Sequence, residues 1–573
     1  MTKEDLELNP VMSQVRIDDL RVQSVMSNKS IVLNVDHQVD NDEAKILAMG
    51  YKQEFNREFG AFSVFAVSFS VLGLLPSIAA TFDYQQLVVG MSPIPWILGM
   101  IGVTSVAYSM AEVASAFPTA AGTPYAVSQL APKKWAPFLT WVTSFSNWMC
   151  QITAAPSVNY SGACLILSMA SYRNGYVAST GVTYALTTAI MLVHACISCL
   201  PTKYLAQFNN LGTSINMVFL VVVFVMIFAC NDRVGIYEGS VPKFNSNATA
   251  WGLTNQTDFP TGVAMLVSFL GVIWAMSGYD SPFHLSEECS NASVAAPRAI
   301  CLTATVGGTI GFFFILAISY TVVSLDKITE DALQLGQPFV TYLTQIMASK
   351  YVVACTSLTI ISSWFMGSSC MLAASRVTFA YSRDGLFPFS RLWCKVYPAT
   401  KTPVNAVLLN FALGQLLLLL MFAGDTAIAA IFSVGGISSF ISFTMPTLLK
   451  ITYANKTFQQ GPWNLGKFSR PIGFFSVAFV ATMVPFLCFP TVSGSNLTPT
   501  AMNWTSVVFF GPMLIFIAWF VLDAHKWYVG PRPNIDEYIS HDNSDVVLIE
   551  GIRNQLSPSS NEEDSEEIPE KKE

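Results

Sequence analysis

The chain is short of charge. Only 12% of its 573 residues are Asp, Glu, Lys or Arg, 52% are apolar, and mean hydropathy is +0.47. Soluble proteins carry about 25% charged residues, so the several soluble domains that length alone suggests would have no adequate solvated surface. Basic clusters are also missing: the formal charge is -7, and nucleic-acid binding needs Lys and Arg gathered on one face. The first 60 residues lack a basic segment leading into a short apolar run and a small-residue cleavage site, which leaves targeting to the first long apolar segment. Eleven cysteines fall mostly in apolar stretches. The close pair Cys196 and Cys199 has no companion His or second pair, so the cysteines read as small packing groups rather than metal ligands or a disulfide framework. No His, Asp or Cys set at fixed spacing marks an intramembrane catalytic centre, which sets aside a membrane enzyme; no cofactor or metal is expected.

What the chain has in quantity is uninterrupted apolar length. A helix needs about 20 largely apolar residues to cross the hydrocarbon core, and twelve such stretches occur, at 62–82, 94–115, 138–165, 182–200, 211–230, 262–285, 299–324, 354–379, 404–423, 427–449, 471–490 and 504–523. They are numbered spans 1 to 12. The reading is an all-α membrane protein with twelve transmembrane helices in residues 61–525, between polar tails 1–60 and 526–573. With the N-terminus in the cytoplasm, 25 of the 30 Lys and Arg lie in cytoplasmic tails and loops and 5 outside, as the positive-inside rule requires. Both termini are then cytoplasmic, and the plasma membrane is the default address, with the vacuolar membrane as the alternative. Four Asn-x-Ser/Thr sequons, at Asn247, Asn255, Asn496 and Asn503, fall in outside loops as candidate glycosylation sites; those at Asn28, Asn291 and Asn455 fall inside and that at Asn159 within a span. The tails have the composition of unfolded segments. Ser557-Pro558-Ser559-Ser560 and lysines such as Lys3, Lys29 and Lys45 make them candidate substrates for a kinase or a ubiquitin ligase, or plain solvated extensions.

Two spans carry helix-breaking clusters. Span 1 contains Gly73-Leu74-Leu75-Pro76-Ser77, in which Pro76 removes a backbone donor and Gly73 weakens the helix. Span 6 contains Ala275-Met276-Ser277-Gly278-Tyr279-Asp280-Ser281-Pro282. Freed backbone at membrane depth is tolerated where it lines a cavity or is buried in protein. The two breaks sit five spans apart, at matching positions of two five-span halves, which points to a transporter site between repeats. Half-helix ends there offer amides to an anionic group and carbonyls to a cation, and a zwitterion matches both. An ordinary proline kink is the alternative for either break taken alone.

Four stretches, in order, resemble one family. Span 1, Phe62 to Ala79 around Gly73-Leu74-Leu75-Pro76-Ser77, closely resembles the first span of fungal GABA and choline permeases. After span 2, Ala111-Glu112-Val113-Ala114-Ser115-Ala116-Phe117-Pro118-Thr119-Ala120-Ala121-Gly122 is similar to that family's segment, with Ala121 where a second glycine is usual. Asp280-Ser281-Pro282-Phe283-His284-Leu285-Ser286-Glu287-Glu288 follows the break in span 6. Tyr381-Ser382-Arg383-Asp384-Gly385-Leu386-Phe387-Pro388 and Thr402-Pro403-Val404-Asn405-Ala406 follow span 8. The resemblance covers about residues 45–525. It implies membership of the amino acid, polyamine and organocation superfamily and a LeuT-type fold: five-plus-five inverted repeats, interrupted helices 1 and 6, and two further helices. Phe82-Asp83-Tyr84-Gln85-Gln86 replaces the glycine-rich link usual after span 1, so the outer mouth departs from the pattern.

Polar groups inside spans are the remaining candidates, because a charge at membrane depth costs about 2.5–3.5 kcal/mol on insertion scales. Three roles fit Asp280: partner of a substrate ammonium, carrier of a coupled proton, or cap of the second half-helix, the last being the leading expectation. Glu112 fits a latch at the cytoplasmic gate through an ion pair with Arg383 or another loop cation, or a proton carrier. Asn147 and Gln151 share a face of span 3 at i, i+4 spacing with Trp148 beside them, where they bind substrate or cross-link helices; Asn159 lies further along. Trp274 and Tyr279 flank the break in span 6, and the resemblance makes either an aromatic gate over a bound amine. His284, four residues after Asp280, is a candidate proton relay, whereas His194 is expected to hydrogen-bond a neighbour. Span 5 lacks a basic residue, so no coupling site carries over from proton-coupled relatives of this fold. The expected function is secondary active uptake, by proton symport and alternating access, of a small amino acid or amine with GABA as first choice; choline, a polyamine or a thiamine-like cation is the alternative, and a non-transporting nutrient sensor ranks below.

Overall fold

A computed structural model describes residues 57–84, 90–490, 492–498 and 502–531, with 26–27, 30–31 and 49 before them. The chain divides into two units. Residues 54–531 hold the helices; residues 1–53 with 532–573 make the other, in which a two-residue antiparallel pair, Met26–Ser27 with Ser30–Ile31, is described. The expectations for Lys3, Asn28, Lys29, Lys45, Gln85, Gln86 and Ser557–Ser560 lie outside the described residues.

The helical unit is all-α apart from isolated bridges. Ten of its helices are long and apolar enough to cross a membrane. The two remaining expected spans fall short for different reasons. The outer part of span 6, Thr261–Ala275, has 15 residues because the helix stops at the break. Span 3, Ala136–Asn174, has 39 residues but carries too many Ser, Thr and Asn for that hydropathy threshold, because its polar face is buried against other helices. Span 10 is a continuous helix, Asp425–Ile451, despite Gly435 and Gly436. Residues 325–346, expected as loop, hold two further helices, Leu325–Leu335 and Pro338–Ile346; Phe339 and Tyr342 of the second pack on Phe82 at 5.9 and 5.5 Å between ring centroids.

Burial separates core from periphery. The most apolar window of span 1 is 83% buried and that of span 12 only 17%, so the first is wrapped by protein and the second turns its apolar surface outward, as a lipid-facing helix does. Spans 1, 3, 6, 8 and 10 surround the centre. The end carrying Ala61 and Leu522 is termed inner, following the charge distribution.

Both expected breaks are present. Span 1 is two helices, Ala61–Leu72 and Leu74–Ala80, separated by Gly73 in the left-handed region at φ 43°. The break falls at Gly73 rather than Pro76, because Pro76 sits in the first turn of the second helix, where no intrahelical donor is required. Pro76 still leaves the Leu72 carbonyl without its i+4 amide, and the Ser77 hydroxyl donates to that oxygen at 2.7 Å. Span 6 stops at Ala275 and resumes as one turn, Ser281–His284. The two breaks touch: the Ser68 hydroxyl donates to the Gly278 carbonyl at 3.2 Å. A Cβ on Gly278, whose φ is 94°, would lie 2.5 Å from Val71 Cγ1.

Gly278→Ala therefore combines a backbone conformation that L-residues avoid with a contact nothing rigid can yield. A destabilisation of about 1–3 kcal/mol is expected, read as a lower unfolding temperature of the purified protein in detergent. An unchanged unfolding temperature would show that the two breaks are not in direct contact.

Candidate functional site

Between the breaks lies a small enclosed cavity of about 40 Å³, to which span 1 contributes Val71, span 3 Gln151, span 6 Trp274, Ser277, Gly278 and Asp280, span 8 Met366 and span 10 Ser439. Asp280 is its only charged lining residue. The side chain is almost wholly buried, and one oxygen accepts from Gln151 Nε2 at 2.7 Å. The capping role expected first for Asp280 is not what the structure shows: its side chain makes no cap hydrogen bond to the turn that follows. Ser281–His284 is a single turn reached through the non-helical link 276–280, and Asp280 at its start is aimed across at Gln151 of span 3.

Behind Asp280 a chain of polar contacts leads inward. His284 Nε2 lies 3.6 Å from Asp280 Oδ2 and 3.1 Å from Asn147 Nδ2, and its Nδ1 is 3.1 Å from the Ala120 carbonyl. A carbonyl only accepts, so Nδ1 carries the proton and Nε2 is the acceptor for the Asn147 amide. Asn147 Nδ2 also bonds Tyr381 Oη at 2.6 Å, while Asn147 Oδ1 is buried without a hydrogen-bond partner. Asn147 and Gln151 thus share a face, as their spacing predicted, but have separate tasks: Gln151 lines the cavity and Asn147 stands behind it.

Other candidates fall elsewhere. Gly73, Leu74, Leu75, Pro76 and Ser77 are not among the cavity's lining residues; Gly73 and Ser77 abut Met366, with Ser77 Oγ 3.7 Å from its sulfur. Tyr279 packs on Phe443, 5.6 Å between ring centroids, and does not line the cavity. Asn159 bonds the Ala155 carbonyl of its own helix at 2.8 Å, and Trp148 donates to Thr378 Oγ1 at 3.1 Å. His194 finds no hydrogen-bond partner for either ring nitrogen, contrary to expectation, and packs edge-on to Trp364. Among the outside sequons, Asn247 and Asn496 are exposed and Asn255 and Asn503 are half-buried; the side-chain nitrogens of Asn255, Asn496 and Asn503 donate to Phe259, Asp258 and Leu487.

The outer wall of the cavity is aromatic. Trp274 lines the central cavity, Phe432 of span 10 lines a larger cavity of about 610 Å³ at the outer end, and their rings lie 5.1 Å apart. The inner end is held by three buried ion pairs. Arg383 grips Glu287 with both terminal nitrogens at 2.8 and 2.9 Å, Arg376 Nε bonds Glu288 at 2.9 Å, and Lys450 bonds Glu112 at 2.6 Å. The Glu112 partner is therefore Lys450 rather than Arg383, because the loop after span 6 brings Glu287 to Arg383 first. Burial alone would raise the Glu287 carboxyl; the Arg383 guanidinium, the Ala120 amide and the Thr119 hydroxyl outweigh it and hold it below its ordinary value. The chain before span 1 joins the same closure, with Phe59 bridging to Glu288 and Ser290 through backbone hydrogen bonds of 3.1 Å. Lys450, Arg376, Glu288 and Tyr381 were not singled out from sequence. The i, i+1 carboxylates after a broken span facing arginines a helical turn or two apart were the available signal.

Broken helices around a small acidic cavity, shut on one side by ion pairs and on the other by a pair of tilted aromatic rings, are the parts of a carrier, and the comparisons agree. Residues 59–516 match the profile of the family described as Amino acid permease. The chain belongs to the amino acid permease family. The permease is 65% identical over 517 residues, 90% of its own length and 93% of the relative's, to a Candida albicans protein named "Putative polyamine transporter". It is 48% identical over 520 residues, 89% of this chain and 93% of the other, to an uncharacterised amino-acid permease of Schizosaccharomyces pombe. An Arabidopsis thaliana amino-acid permease is 28% identical over 511 residues, 87% of this chain and 97% of that one. None of these relatives is named for GABA or choline. The permease is thus a multi-pass membrane transporter and not an enzyme.

Removing one partner of a buried ion pair strands the other charge. Arg383→Ala is expected to destabilise the permease by about 3–5 kcal/mol in detergent unfolding, and Glu287→Gln added to Arg383→Gln to recover part of the loss. Equal loss in the double variant would rule out a pairwise gate.

Proposed function

We propose that this permease takes up a small cationic amine, a polyamine first, by alternating access, with the substrate ammonium held at Asp280. The observation that carries this reading is a buried carboxylate facing an enclosed cavity that holds no basic lining residue. Taking a carboxylate out of water costs several kcal/mol without a counter-charge, and a protonated amine supplies one. Trp274 beside it offers a π-face to the same cation. The name of the Candida albicans relative supports the polyamine choice. A cavity of about 40 Å³ exceeds the roughly 10–15 Å³ that one water needs but admits only a substrate's head group, so the gate rings must part for a longer amine.

Proton symport fits the same network. A proton arriving on His284 Nε2 converts that acceptor into a donor; Asn147, by turning its amide, can then present its unpartnered Oδ1 to it. Asp280, 3.6 Å away, would feel the new charge and bind an ammonium less strongly, which links proton transfer to substrate release. The two breaks at matched positions support a five-plus-five inverted repeat, and the distribution of Lys and Arg supports cytoplasmic termini; the plasma membrane is the default address and the vacuolar membrane the alternative. A zwitterion such as GABA is the second reading; it would require the helix-start amides of Leu74 and Leu75, which lack intrahelical partners but do not line the cavity in this structure, to turn toward it.

The test is uptake of labelled spermidine, putrescine, GABA and choline in yeast cells lacking their own carriers, at pH 5 and 7.5, with surface expression measured. Saturable spermidine or putrescine uptake is expected, faster at pH 5. Asp280→Asn should lower kcat/KM about 30-fold or more, the equivalent of about 2 kcal/mol for a desolvated charge pair, and Asn147→Ala should flatten the pH dependence. Transport of GABA alone would establish the second reading instead, and no uptake of any of the four with the protein at the surface would sink both.

A further inference from the structure

The 610 Å³ cavity beyond the aromatic gate is lined by Asp83 and Tyr84 from the end of span 1, Tyr160 and Cys164 from span 3, and Phe432 from span 10. Asp83 is the one charged lining residue among the described residues. The half-buried carboxylate has no hydrogen-bond or ion-pair partner among the described residues. Arg173 at the end of span 3 and Asp326, Lys327 and Glu330 of the helix Leu325–Leu335 are exposed. A carboxylate and two phenol rings lining one concave, partly desolvated space favour a cation by both Coulomb and cation–π attraction. It also lies where the sequence departs from the glycine-rich link usual after span 1, so a side chain with charge stands where flexible backbone would otherwise be.

We propose that this outer cavity is a second amine-binding station, in which Asp83 captures a substrate ammonium before the Trp274–Phe432 gate opens toward Asp280. The proposal rests on the cationic-amine reading above and assigns Asp83 a specificity role that this reading does not require. It also explains how a central cavity sized for a head group serves a longer amine: the second ammonium has its own anion on the outer side of the gate. Burial raises the Asp83 carboxyl to about 6, so the station is charged at pH 7.5 and mostly protonated at pH 5. The other titratable lining groups, Cys164 and the two phenols, ordinarily titrate at about 8.5 and about 10 and stay neutral across that window. An amine handed from a charged outer station to the centre would therefore be released more readily from it in acid.

The experiment is equilibrium binding of labelled spermidine to the purified full-length permease in lipid nanodiscs, which needs no transport. With the central anion removed by Asp280→Asn, weaker saturable binding is expected to persist. Adding Asp83→Asn should weaken it further by about tenfold at pH 7.5 and by less than about twofold at pH 5, and Asp83→Glu in its place should retain it. Loss of all binding in Asp280→Asn alone, or an Asp83→Asn effect equal at both pH values, overturns the outer station while leaving Asp280 as the central site. Binding that survives both variants unchanged overturns the outer station and the Asp280 reading together. Thermal unfolding of each variant separates lost binding from lost fold.

Discussion

Backbone polar groups freed in the middle of a membrane have no water to turn to, and the centre of this permease is organised around that constraint. Each broken span resolves part of the other's problem. The Gly278 carbonyl of span 6 is met by the Ser68 hydroxyl of span 1, and the Leu72 carbonyl that Pro76 cannot serve is met by Ser77. The breaks must touch for this to work, and the absence of a side chain at Gly278 is what lets them. The cavity is the space left beside that contact, so its position follows from how the backbone is satisfied.

Charge is then distributed by depth. Asp280 stands alone in the central cavity, answered only by a neutral amide, while every carboxylate of the inner closure has a cation at hydrogen-bonding distance. Paired charges hold helices in register, and an unpaired one attracts a ligand. The inner end is therefore bolted by ion pairs within the protein, whereas, among the described residues, the contact of Trp274 with Phe432 stands between the small central cavity and the larger outer one. A ring contact worth about 0.5–1.5 kcal/mol beyond its area gives way more readily than three desolvated ion pairs. Opening the end termed inner requires the loop after span 6 to leave Arg376 and Arg383.

Much of this was legible in the chain. The apolar runs, the two helix-breaking clusters, the intramembrane Asp280 and the family motifs all depend on local composition, since a membrane span is recognisable from about 20 residues and a break from a Gly or Pro within it. Asp280 was weighed first as a cap, which the structure does not show, and Glu112 was matched to Arg383 or another loop cation, of which Lys450 is the partner; each was a choice among partners that lie more than a hundred residues away or on another span.

The sequence by itself determined that this is an all-helical membrane protein with long apolar spans, which of them break, and that a carboxylate sits beside one break, because hydropathy, proline and glycine act within a few residues of where they stand. Only the tertiary structure decided that Asp280 faces Gln151 across a cavity, that Lys450 rather than Arg383 answers Glu112, that Trp274 meets Phe432, and that Asp83 is left without a partner. Those pairings depend on the rotation and depth at which helices distant in sequence pack, and a one-dimensional pattern carries no direct measure of either.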